Sequence, residues 1–127
     1  MDISNIFRIV IEIGFGCLYL IGAIFNALYT WRHGEEFYGS FADKATLSSA
    51  RQLIRRLVIP WARLFTSLLI AFQLLVAVSI LSQDRLVEIG LLSGAIFCLG
   101  VVFVSNMPGA IANLIMSIIQ LLLVVAR

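Results

Sequence analysis

The groups able to do chemistry in this chain are a few polar side chains set into long apolar runs. Glu12 is a carboxylate four positions after Arg8, and Asn26, Thr66, Gln73, Asn113 and Gln120 are neutral amides or hydroxyls, each within or beside an apolar run. Hydrocarbon offers such groups no partner, so they must face one another or something bound between them. One reading is pairwise bonding across helices, worth about 0.6 kcal/mol per bond on average. The other is a polar cavity for a ligand headgroup, and Glu12, as an ionisable group inside an apolar run, speaks for it most directly. A rise of about 1.5 Å per residue sorts the six into two levels. Glu12, Gln73 and Gln120 share one, and Asn26, Thr66 and Asn113 the other. Together they carry more donors and acceptors than pairwise bonds would use, which leaves room for water, a lipid headgroup or a quinone carbonyl.

The rest of the polar inventory points to no reaction. His33 stands beside Glu35 and Glu36 as a single imidazole, too little for a metal site. Cys17 and Cys98 sit in apolar runs with no CxxC spacing, at similar depth, and buried cysteines usually act as small hydrophobes. The chain holds no catalytic constellation and no haem, iron–sulfur or flavin motif.

The elements that must position these residues follow from composition. Of 127 residues, 61% are hydrophobic and 13% charged, against roughly 45–50% and 25% in soluble domains. Mean hydropathy is +1.05. Four apolar runs, 6–30, 61–81, 86–104 and 108–126, each approach the ~20 residues that cross a bilayer. The first is long, carries Glu12 and lacks a small-residue cleavage site, so it reads as a retained helix. The expected fold is all-α: one polytopic domain, integral to a membrane such as the prokaryotic plasma membrane. A net charge of +2 is too small and too dispersed for nucleic acid.

Within helix one, Glu12, Gly16, Tyr19, Ala23, Asn26 and Thr30 form a polar and small stripe at steps of three and four, expected to face the bundle. Helix three carries Gly90, Gly94 and Cys98 at four-residue steps, a face that lets helix backbones approach closely. Its expected partner is helix one, through Gly14, Gly16 or Cys17, or a neighbouring subunit. The long polar connection after Thr30 is expected to turn at Gly34 and Gly39. From about 43 to 59 it forms one interfacial amphipathic helix, capped by Asp43, with Leu47, Leu53 and Leu57 toward acyl chains and Arg51, Arg55 and Arg56 toward phosphates. Pro60 ends it. Six basic residues flank this connection against three on the opposite side, which places it in the cytoplasm.

Arg8, Gly14-Phe15 and Gly22 in helix one, with the entry at Pro60 into a second helix bearing a central polar residue, resemble the DoxX-like small four-helix membrane proteins. The chain departs from that pattern at Gln73 and Ala77, where an acidic residue and a glycine are common in the family. The resemblance implies an accessory or scaffold subunit of a membrane complex. It also implies, as an alternative, a quinone-linked redox component whose partner carries the electron carrier; apart from the resemblance, a small transporter active as an oligomer stays open. Expected partners are the lipid bilayer and either another membrane protein or further copies of the chain.

Overall fold

The computed structural model describes residues 3–127, and they form helices joined by short turns. Helix α1 spans Ile3–Phe25 and runs on through a wider π turn, Asn26–Thr30. Two short helices follow: α2, Gly34–Lys44, and α3, Ser48–Leu53, the latter prolonged by a second π turn over Ile54–Val58. Then come α4 (Ala62–Leu81), α5 (Leu86–Val104) and α6 (Met107–Ala126). Four helices, α1 with its π turn, α4, α5 and α6, are long and apolar enough to cross a membrane. The chain is a polytopic all-α membrane protein.

Small residues set the packing. A Cβ on Gly16 of α1 would lie 2.7 Å from Leu81, and one on Gly22 would lie 2.8 Å from the Gln73 amide nitrogen, so α1 and α4 run antiparallel with 16 beside 80–81 and 22 beside 73. Gly90 of α5 meets Ile80 and Ser79 of α4 in the same way. The close backbone pairings are α1–α4, α4–α5 and α5–α6. Side-chain bonds link α1 to α6. The six-residue stripe read from α1 is buried throughout, from Glu12 to Thr30. Outward leucines and isoleucines such as Leu75, Ile96 and Leu122 are more than half exposed, as a lipid-facing surface requires.

The connection between α1 and α4 carries the expected short helix, over 48–58 and not from about 43 to 59, and adds α2 before it. Gly39 lies inside α2, not at a turn, and Asp43 sits in the last turn of α2, where it pairs with Arg55 of the second π turn, so it caps nothing. Residues 45–47 break the helix because α2 and α3 dock separately. Ala45 is buried, the Thr46 N–H reaches the Ser105 carbonyl at the α5–α6 turn (3.4 Å), and Arg51 donates to the Ala45 carbonyl at 3.0 Å. In α2, Tyr38 and Ala42 face inward with Phe37 and Phe41 beside them. In α3 and its π turn, Ala50 and Ile54 face the protein, while Leu47, Leu53 and Leu57 stay exposed. The segment thus has two apolar faces, a small one against the bundle and a leucine-rich one turned outward.

Candidate functional site

Four groups of polar side chains stand along the bundle. At the end that holds the α4–α5 turn, the buried Glu12 carboxylate accepts from Arg127 of α6 (2.8 and 2.9 Å) and from Arg8 one turn away on α1 (3.3 Å to each oxygen). Two turns further in, beside the core of Phe15, Val76, Ile80 and Leu91, the Tyr19 hydroxyl donates to Gln120 Oε1 at 2.9 Å and lies 3.6 Å from Cys98 Sγ. Gln120 Nε2 donates to the Met116 carbonyl (3.2 Å) and to Cys98 Sγ (3.5 Å). Gly94 makes this possible, since a Cβ there would collide with the Tyr19 hydroxyl and Gln120 Oε1. Ser117 closes the neighbouring contact by donating to the Ala95 carbonyl, 3.0 Å.

The third group centres on Asn26. Its Nδ2 donates to the Gly22 carbonyl at 2.9 Å, which fixes which way the amide points, and also to Gln73 Oε1 at 2.8 Å. Thr30 donates to Asn26 Oδ1 at 2.7 Å. With Gln73 Oε1 so assigned, its Nε2 is a donor left without a protein acceptor. Asn113 of α6 has the complementary condition: Nδ2 donates to the Gly109 carbonyl at 2.8 Å, leaving Oδ1 as a free acceptor. Among the described residues no fully buried side-chain polar atom lacks a partner, so both free atoms keep contact with open space.

The same residues also border a cavity of about 390 Å³ beneath α2 and the second π turn. Asn26, Gln73 and Asn113 line it, and its apolar wall includes the rings of Phe37, Phe41, Phe65 and Phe97. Its size falls within the roughly 300–1,000 Å³ of small-molecule sites, and an apolar wall with few polar groups is their usual make-up. The roof is held by the fourth polar contact, Tyr38 to Thr66 across α2 and α4 at 2.8 Å. Burial pushes the Tyr38 phenol above its ordinary value, with the Thr66 hydrogen bond opposing that rise, so it stays a neutral hydroxyl. A second cleft of about 260 Å³ opens beside the first and shares Phe41, Val101 and Asn113 with it.

The structure therefore regroups the six polar residues. Gln73 joins Asn26, not Glu12 and Gln120, and Thr66 bonds Tyr38 apart from both. Counting depth from helix ends misplaced them because α1 with its π turn has 28 residues against 20 in α4, an overhang of roughly 12 Å at the helical rise. Glu12 lies a full turn beyond Gly16, which is already level with the last residue of α4. Cys17 points outward while Cys98 is buried, and both are free. Gly14 is likewise exposed, so the close face of α5 meets Gly16-side packing only through α4, Tyr19 and Gln120. Arg51 and Arg55 bond within the connection, and Arg56 has no ion pair among the described residues. Tyr38, Thr30 and the Tyr19 bond escaped the sequence reading of the site. Tyr19 and Thr30 were on the polar stripe of α1, and Tyr38 was signalled by the Phe37-Tyr38-Phe41-Ala42 spacing. Compared with family models, curated proteins and solved structures, the chain matches none.

Proposed function

We propose that this protein is an accessory subunit of a membrane complex that holds one lipid-soluble molecule in the cavity under α2 and the second π turn. The observation that carries this reading is the pairing of an apolar, ring-lined chamber of about 390 Å³ with two uncommitted polar atoms, Gln73 Nε2 and Asn113 Oδ1. Each tight helix contact elsewhere is saturated, whereas here a donor and an acceptor face space. A molecule with an apolar body and a carbonyl that accepts from Gln73 would satisfy the first and bury the rings. The phenyl walls and that donor also favour a quinone as occupant, in keeping with the redox complexes that a resemblance to DoxX-like proteins brings to mind. The chain offers no electron carrier of its own, so any electron transfer would belong to a partner.

The test uses the protein in neutral phosphatidylcholine nanodiscs with a photoreactive monoacyl probe and a decyl-tailed quinone as competitor. The probe should crosslink to Phe37, Phe41, Phe65 or Phe97, and the quinone should displace it. Leu69→Trp, which fills the chamber from α4, should lower that crosslinking at least tenfold. Labelling confined to outward residues such as Leu75 and Val125, and indifferent to Leu69→Trp, would overturn the reading.

A further inference from the structure

The geometry points to an anion subsite at the mouth of the cavity, so that the bound molecule is an amphiphile with a negatively charged head. The inference rests on the inner chamber being a ligand site. Its own observation is the character of the second cleft, about 260 Å³, whose lining includes Lys44, Ser40, Ser105 and Asn106. Ser105 spends its hydroxyl on the Val101 carbonyl at 2.6 Å, and the other three keep a donor unspent. Among the described residues, Lys44 has no carboxylate partner, Ser40 has no hydrogen bond, and Asn106 uses only its Oδ1, which accepts from the Gly109 N–H at 3.0 Å, so its Nδ2 remains free. Among the described residues no carboxylate lines the cleft. The nearest acid in sequence, Asp43, is taken up by Arg55.

An ammonium, a hydroxyl and an amide N–H₂ lining one cleft without an acid among them make a donor set for a carboxylate or phosphate oxygen. Neutral headgroups would leave the Lys44 charge unanswered. Position agrees with the same class of ligand. The cleft lies at the end of the bundle that carries Trp31 and Trp61, the level at which aromatic side chains meet the headgroups. Because Phe41, Val101 and Asn113 line both spaces, one molecule can lie across them, its head at Lys44 and its apolar body among the phenyl rings. The shared chemistry is an acylated anion, supplied either by a free fatty carboxylate or by a lipid phosphate.

Binding of oleate, oleoyl lysophosphatidic acid and oleyl alcohol to the full chain in neutral nanodiscs decides it. One or both anionic probes should bind at least tenfold tighter than the alcohol. Whichever does so names the source of the anion. Lys44→Gln should bring the anionic probes down to the alcohol, leaving the alcohol unchanged, and Lys44→Arg should restore the preference. Lys44 is exposed and unpaired, so neither variant threatens the fold. Equal binding of all three probes, unaffected by Lys44→Gln, would overturn the anion subsite and leave the inner cavity standing. If not even the alcohol binds, the functional reading itself falls and the subsite with it.

Discussion

The two ends of the bundle treat polar groups in opposite ways. At the Glu12 end, a buried carboxylate receives two arginines, and the Tyr19, Gln120 and Cys98 cluster beyond it closes on itself. At the α2–α3 end, Asn26 is saturated, but Gln73 and Asn113 each keep one atom unused beside a cavity. Polar residues of the same types, at comparable helical spacing, therefore serve two purposes. The first set holds α1 to α6, which lack the close backbone packing of the other neighbours. The second set frames a space that the two short helices roof over. What separates the closed end from the open one here is not residue type but whether every donor and acceptor has been used.

That contrast can be broken most severely at Gly94. A leucine there would drive its Cβ into the Tyr19 hydroxyl and Gln120 Oε1, so the closed cluster must open. Overpacking costs about 1–3 kcal/mol and an orphaned buried hydrogen-bonding group about as much again. Gly94→Leu should therefore destabilise by about 2–6 kcal/mol, read as a large fall in melting temperature in detergent. An unchanged melting curve would mean that α5 does not approach Tyr19 this closely.

Glu12 comes next. Removing it leaves two partly buried guanidinium groups facing each other, and breaking a fully buried ion pair costs about 3–5 kcal/mol. Arg8 and Arg127 are about one-fifth exposed, so water recovers part of that, and Glu12→Leu should cost about 2 kcal/mol. Combining it with Arg127→Leu should return some of the loss, because one stranded charge goes with it. A double variant that simply adds the two single losses would show that Glu12 and Arg127 act independently.

The sequence carried the spans and the buried stripe of α1 more faithfully than it carried the site. Long apolar runs and a 3.6-residue period are local signals, and both survive into the structure, from Glu12 to Thr30 and from Gly90 to Cys98. Which polar residues meet is a matter of register, and register depended on the overhang of α1 and on Gly16 and Gly22 fitting against Leu81 and Gln73. Nothing local fixes that. The connection was misread for a related reason. Gly39 is a poor helix residue, less favourable than alanine by roughly 0.5–1 kcal/mol, yet the docking of Tyr38 and Ala42 outweighs it. The break at 45–47 comes from contacts with the distant α5–α6 turn, through Thr46 and Ser105. The two clefts were hidden because they exist only once α2 is folded down over Phe65 and Phe97.

The finest test sets one polar side chain from each end of the bundle side by side. Tyr19→Phe removes the donor to Gln120 Oε1 inside a cluster that has no spare partner, so it should cost about 1–2 kcal/mol and leave ligand binding at the other end unchanged. Asn113→Leu is the opposite case. The lost bond joins Asn113 only to the Gly109 carbonyl one turn earlier in its own helix, and its Oδ1 has no protein donor to strand. Stability should stay within about 0.5 kcal/mol of the parent, since removing a half-used amide from apolar surroundings offsets the bond it gives up. Binding of the monoacyl probe should nevertheless fall, because Asn113 borders both the inner chamber and the outer cleft. Melting temperature and probe affinity measured on the same two preparations read the comparison directly. If Asn113→Leu lowers stability as much as Tyr19→Phe and spares binding, then Asn113 is one more closed contact and the two ends of the bundle do not differ in kind.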